Sequence, residues 1–302
     1  MRESLDSWMR VGIVHFMAFP ETAGGSGPVA ETVGRIAKDA FFDSIEITQV
    51  SDPAARKAVR DLLALSHMEV GFGAQPIQLQ NKLDLNASDA GERSKAVERL
   101  KAAIEQAAEL GASKFAVMSG PDPGPLMRDE AIERLIDSLA EVCAAARAAG
   151  LAVALEVFDR EIDKKALIGS TKDAVRVAAR LRPHFPDFGL MLDLSHLPLQ
   201  GESSREALTL ARDYLSHIHI GNCVLDPAKP GYGDSHPPFG VPEGVNDVAE
   251  LAEFLRVLKD IGYLDPGVTR TVAFEVKPRP GDDPEAVIAS SKRTLTAAWR
   301  LV

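Results

Sequence analysis

Short apolar, β-branched runs alternate along the chain with longer stretches rich in Ala, Leu, Glu and Arg. The strand-like runs begin at Val11 (VGIVHFMAF), Asp43 (DSIEIT), Met68 (MEVGFGAQ), Lys114 (KFAVMSG), Leu151 (LAVALEVF), Phe188 (FGLMLDLSH), Leu215 (LSHIHIGN) and Thr271 (TVAFEVKP). Their apolarity is continuous rather than alternating, which predicts strands buried on both faces, as a parallel sheet requires. Helical periodicity follows each run, most clearly from Val97, Glu130 and Asp247. Gly111, Gly150 and Gly262 each end a helical stretch just before the next strand, a C-terminal stop signal.

Eight such units predict an α/β fold in one domain over residues 1–302, a single (β/α)8 TIM barrel with long loops at its C-terminal mouth. Glu46 in the second strand and Glu275 in the eighth are six repeats apart, at about 38 residues per repeat against about 31 for a bare barrel. The excess implies insertions. An open doubly wound sheet would want a GxGxxG turn after its first strand, and none is there. Two long loops follow strands and so belong to the mouth. Pro20–Pro28 contains GGSG but no P-loop lysine, and reads as a mobile lid. The Pro- and Gly-rich segment Asn222–Asn246 contains GYGDSHPPFG.

Composition narrows the function. The 34 Lys+Arg against 44 Asp+Glu leave a net charge of −10, which argues against a general nucleic-acid binder. No apolar run spans a bilayer, and the first ten residues lack an apolar signal core, so the expected location is the cytoplasm. Cys143 and Cys223, far apart and without CxxC spacing, fit a reducing compartment. The expected partner is a small molecule, with neither nucleic acid nor membrane, and a homo-oligomer is left open.

Candidate chemistry gathers at the ends of the last four strands: Glu156 in ALEVF, Asp193 in LMLDLSH, His219 in HIHIGN and Glu275 in AFEVK. Three desolvated carboxylates aimed into one mouth repel one another unless a cation neutralises them. One divalent ion, Mn²⁺ foremost and Mg²⁺, Co²⁺ or Zn²⁺ as alternatives, suits three carboxylates and one imidazole. Glu46 is a fifth strand-end acid, suited to supporting substrate, to supporting His15, or to a buried ion pair. His15 and Phe16 are expected to line the pocket, and Lys277 either binds an anionic substituent or forms a solvated rim.

The set Glu156, Asp193-Leu-Ser-His196, His217-Ile-His219 and Glu275 resembles the xylose-isomerase-like barrel superfamily, which includes ketose 3-epimerases, sugar isomerases, dehydratases and apurinic/apyrimidinic endonuclease family 2. The resemblance implies that Glu156, Asp193, His219 and Glu275 hold one divalent metal, usually manganese. It also implies that Glu156 and Glu275 form the acid/base pair and that His196 contacts substrate. The implied activity is a metal-dependent isomerase or epimerase of a ketose or keto-sugar, working by proton abstraction next to a carbonyl through a metal-stabilised enediolate. The alternatives are a lyase or dehydratase of the same superfamily, a DNA-repair endonuclease relative, and a non-catalytic sugar-binding protein.

Three departures bear on this. The stretch after Glu156 reads Val-Phe-Asp159-Arg160-Glu161, which keeps Arg160 as a substrate-binding candidate but loses the Pro-x-Asn-Arg-x-Glu register of the epimerases. The endonucleases take zinc-binding histidines from the third and fourth strand ends, where this chain has Gln75 and Ser119. Asp234-Ser-His236 nevertheless resembles an endonuclease zinc pair that His196 could complete; the preferred role for Asp234 and His236 is binding sugar hydroxyls.

Overall fold

In the computed structural model, which describes residues 4–268 and 270–302, eight parallel strands close on themselves in sequence order. They are β1 (Met9–Val14), β2 (Ser44–Ile47), β3 (Glu69–Gly73), β4 (Lys114–Val117), β5 (Ala152–Glu156), β6 (Gly189–Asp193), β7 (Leu215–Ile220) and β8 (Arg270–Phe274). β1 pairs with both β2 and β8, so the sheet has no free edge.

The strands are apolar on both sides because the outer side packs under helices and the inner side fills the barrel. Phe72 and Phe115 stack at 5.6 Å on neighbouring strands, while Ala116, Ala154 and Met191 form a separate cluster of small and flexible side chains. Several of the amphipathic helices start on side-chain caps. Asp52 accepts from the Ala55 amide, Asp89 from Glu92, and Ser203 forms a reciprocal box with Glu206. Gly111, Gly150 and Gly262 turn out of their helices with φ near +80°, the left-handed backbone that the sequence signal required.

Every strand is shorter than its apolar run, and after two of them the chain turns helical at a histidine. The first ends at Val14, and His15–Ala18 turns into a short helix; the sixth ends at Asp193, and His196–Gln200 is helical. Among the described residues, no helix is long and apolar enough to cross a membrane.

Candidate metal centre and sugar site

The barrel's twist and stagger bring the last four strand ends together. Glu156 is the final residue of β5, Asp193 the final residue of β6, His219 lies one residue before the end of β7, and Glu275 follows β8 directly. Asp193 pairs in register with His219, and one ligand atom from each of the four residues falls within a 4.8 Å cluster. All four side chains are buried.

The donor atoms show what the cluster lacks. His219 Nε2 lies 3.0 Å from both oxygens of Glu46, so with its proton on Nε2 the ring turns the Nδ1 lone pair inward. Nδ1 sits 2.6 Å from Glu275 Oε2 and 3.5 Å from Glu156 Oε1, and none of these three atoms has a hydrogen-bond partner. Lone pairs facing one another at this range in a buried site need a positive charge between them. Without a cation, the neighbouring acids hold the proton that does this: burial lowers His219, but Glu46 and Glu275 outweigh it and keep the imidazole well above its ordinary value. Glu275 is pushed up, burial being the main cause. The residues therefore fit a divalent ion, and Glu156, Asp193, His219 and Glu275 would hold it.

A second layer fixes these groups. Gln75, the first residue of the helix Gln75–Asn81 after β3, donates from Nε2 to Glu156 Oε2 at 2.6 Å. The Ser195 amide donates to Asp193 Oδ1 at 2.7 Å, and His236 Nε2 lies 3.2 Å from Asp193 Oδ2. Burial opposes the ionised Asp193, yet His196 and His236 hold it below the usual carboxylate range. Glu46 also takes His217 Nε2 at 2.8 Å. Gly71 makes room for it, since a Cβ there would stand 2.8 Å from Glu46 Cγ.

Beside the cluster lies a second group of converging atoms. His196 Nδ1 is 2.9 Å from the Val157 carbonyl, so its Nε2 faces Asp234 Oδ1 at 3.1 Å. His236 Nδ1 approaches the same oxygen at 3.2 Å. The other oxygen of Asp234 accepts from Lys164 at 2.8 Å. Asp234 is ionised well below its ordinary value: burial opposes this, but His236, His196 and Lys164 prevail. Burial works against the charge on His236 too, and Asp234 still raises it to about 9. His236 has φ of +50°, a backbone strain held by Lys277, whose amide donates to the His236 carbonyl at 2.7 Å.

The segment from Asn222 to Asn246 is tied at its ends by the side chains of those two asparagines, Asn246 Nδ2 donating to the Gly221 and Leu194 carbonyls. Asn222 Oδ1 accepts from the amides of Cys223, Val245 and Asn246, while its Nδ2 donates to the Pro238 carbonyl. The earlier loop, read as a lid, is partly ordered as a 3-10 turn at Pro20–Thr22 and stitched down where Ser51 donates to the Gly25 carbonyl.

A cavity of about 340 Å³ opens over the cluster, walled by Phe16, Phe158, Leu79, Gln75 and Lys277 and floored by Glu46, Glu156, His219 and Glu275. Asp234 and His236 reach its wall, and so does Lys164. His15 does not. Its ring is buried against Phe19, with Nε2 2.8 Å from Thr32 Oγ1, because the chain turns into a helix at that residue and directs Phe16 to the cavity instead. Arg160 is also elsewhere, donating to Asp173 and to the Leu167 carbonyl. His196 lies behind Phe158, ring to ring at 4.6 Å. Gln75 and Lys164 are contributions that the sequence reading did not assign. Only the place of Gln75, immediately beyond β3, could have marked it.

Residues 35–297 match the xylose isomerase-like TIM barrel family. The chain belongs to that family. Among solved structures, it resembles a D-tagatose 3-epimerase-like protein, with 19% identity over 96% of this chain and 98% of that one and a TM-score of 0.72. D-Psicose 3-epimerase from Clostridium cellulolyticum H10 is 19% identical over 97% and 99%, with a TM-score of 0.69. 3-Keto-D-glucoside 4-epimerase from E. coli is 19% identical over 95% and 99%, with a TM-score of 0.67. Each of these likenesses covers at least 95% of this chain and bears out the barrel fold.

Proposed function

We propose that this family member is a divalent-metal-dependent isomerase or epimerase of a ketose or keto-sugar. The observation that carries the reading is the set of unpartnered donor atoms, Glu156 Oε1, His219 Nδ1 and Glu275 Oε2, converging beside Asp193 under a cavity of sugar size. The D-tagatose 3-epimerase-like protein and the epimerases of psicose and 3-keto-glucoside that share the fold support the substrate class. An oxygen-rich set with one imidazole favours Mn²⁺. The two cysteines, buried and unpaired, support a reducing cytoplasm.

Glu156, Asp193, His219 and Glu275 would hold a divalent ion, which when bound would supply Lewis-acid stabilisation of negative charge developing on the sugar oxygens. The chain does the rest. Glu156 and Glu275 stand at the ends of non-adjacent strands, so they would meet a bound sugar from different sides, one removing the proton from the carbon beside the carbonyl and the other returning one. Gln75 fixes the Glu156 carboxylate, leaving Oε1 toward the cavity. Phe16 and Phe158, which line the cavity, would keep water from the reacting face, and Asp234, His236 and Lys277 on its wall would bind hydroxyls. The test is hydrogen exchange from D₂O into a panel of ketoses by the Mn²⁺-loaded protein. Deuterium uptake without net loss of sugar supports the reading, whereas loss of water or another group identifies the lyase.

A second cation at His196, Asp234 and His236 is a second reading, favoured by the unpartnered His196 Nε2, Asp234 Oδ1 and His236 Nδ1. Metal titration separates the two. A second equivalent that disappears in His196→Ala supports it, and a stoichiometry of one in both proteins refutes it.

A further inference from the structure

The cavity over the cluster is not closed on the side of β3 and β4. Leu79 and Lys164 also line an adjoining cavity of about 610 Å³, larger than the one that holds the proposed chemistry. Ligand cavities run from about 300 to 1,000 Å³, so the first alone suffices for one sugar ring and the second adds room for another group of at least that size.

The wall of the second cavity is built and mixed in character. Asp84 is held by the Asn86 amide, which donates to its Oδ1 at 2.8 Å. Asn86 in turn accepts from the Gly120 amide at 2.7 Å and donates to the Pro121 carbonyl at 3.0 Å. Gly120 is required by this arrangement, because a Cβ there would fall 1.9 Å from Asp84 Oδ1. No lysine or arginine forms an ion pair with Asp84 among the described residues, and burial raises its carboxyl above the ordinary value. Lys82 and Lys95 stand on the same wall, likewise without ion-pair partners among the described residues, while Leu79, Met118 and Ala166 supply apolar surface.

We propose that this second cavity is a glycosyl subsite, so that the substrate is a ketose or keto-sugar bearing a neutral second sugar. The proposal rests on the isomerase reading of the first cavity. Hydroxyl groups both donate and accept, so one sugar can bridge the half-buried Asp84 and the exposed Lys82 and Lys95. A phosphate would stand beside the Asp84 and Glu92 carboxylates, and an alkyl group would cover the half-buried Asp84 without offering it a donor. The apolar patch suits the C–H face of a sugar ring.

The experiment is calorimetry on the Mn²⁺-loaded protein with D-fructose, fructose 6-phosphate, and the neutral ketose disaccharides lactulose and isomaltulose. At least one disaccharide should bind about tenfold or more tighter than D-fructose. The double variant Asp84→Asn with Lys82→Met should remove most of that margin while leaving D-fructose affinity unchanged; asparagine keeps the turn acceptor that folding uses. The proposal is overturned if neither disaccharide gains, if fructose 6-phosphate gains instead, or if the margin survives in the double variant. Failure of the isomerase reading has a different signature. The disaccharide margin would persist and respond to the double variant, while no sugar would take up deuterium from D₂O.

Discussion

Glu46 stands directly behind His219, with both carboxylate oxygens 3.0 Å from Nε2. The contact selects which imidazole nitrogen faces the cluster, and the ionised Glu46 raises the basicity of that nitrogen. Burial opposes the Glu46 charge, but His217 and His219 hold the carboxyl well below its usual value. Glu46→Gln should weaken Mn²⁺ binding by about 10–100-fold, the usual range for groups that orient a metal ligand. Competition against a fluorescent chelator measures this. An unchanged affinity would mean that Glu46 serves the barrel interior alone.

The two glutamates can be separated from their structural surroundings by isosteric change. Glu156→Gln and Glu275→Gln preserve shape while removing the basic oxygen. With Mn²⁺ raised until each variant is saturated, turnover should fall by about 10²–10⁴-fold. Metal content measured on the same samples is the control. Full turnover in either variant would remove that glutamate from proton transfer.

The buried His15 gives a stability signature independent of the metal. Burial lowers its imidazole from 6.5 to about 4. The unfolded chain therefore binds a proton that the folded chain refuses, and the stabilising contribution, complete above pH 6.5, is lost as pH falls toward 4. The size is about 3 kcal/mol if burial is fully relieved on unfolding. His15→Gln keeps a partner for Thr32 but cannot titrate. Urea unfolding of both proteins between pH 4 and 7 should show the wild type losing stability faster with acid, and parallel curves would contradict it.

Asp234 and His236 reach the cavity wall from a loop that the barrel itself does not need. Replacing either by Ala should reorder the sugars turned over, because a site that pairs a hydroxyl discriminates against analogues lacking it. Because His236 also contacts Asp193, the assays are run at saturating Mn²⁺, where the four-residue cluster should still hold its metal. A panel of ketoses assayed with both variants reads the ranking directly, and equal losses on every sugar would leave the loop as a cover.

The barrel was legible because each strand is apolar on both faces, and a polar residue at the end of such a run, as in ALEVF or LMLDLSH, has nowhere to go but the mouth. The same rule misplaced His15. HFMAF after β1 is as apolar as a strand, yet it is a short buried helix, and hydrophobicity cannot separate the two over so few residues. Arg160 was misplaced for a different reason. Its partner, Asp173, lies beyond an irregular segment, and their meeting depends on tertiary geometry that no local pattern encodes. Gln75 carries no chemical signature until the fold brings it against Glu156, 81 positions away.

Asn222 holds both ends of a long excursion with one amide group, accepting three backbone hydrogens from residues on either side of it. The excursion therefore attaches to the barrel as a cassette. Closing a chain between fixed ends costs only about 0.6 kcal/mol more for each doubling of its length. Residues between the anchors can be lengthened, shortened or exchanged among descendants of this barrel while the strand ends that carry the acids keep their positions, and a new substrate preference can arise without refolding the scaffold.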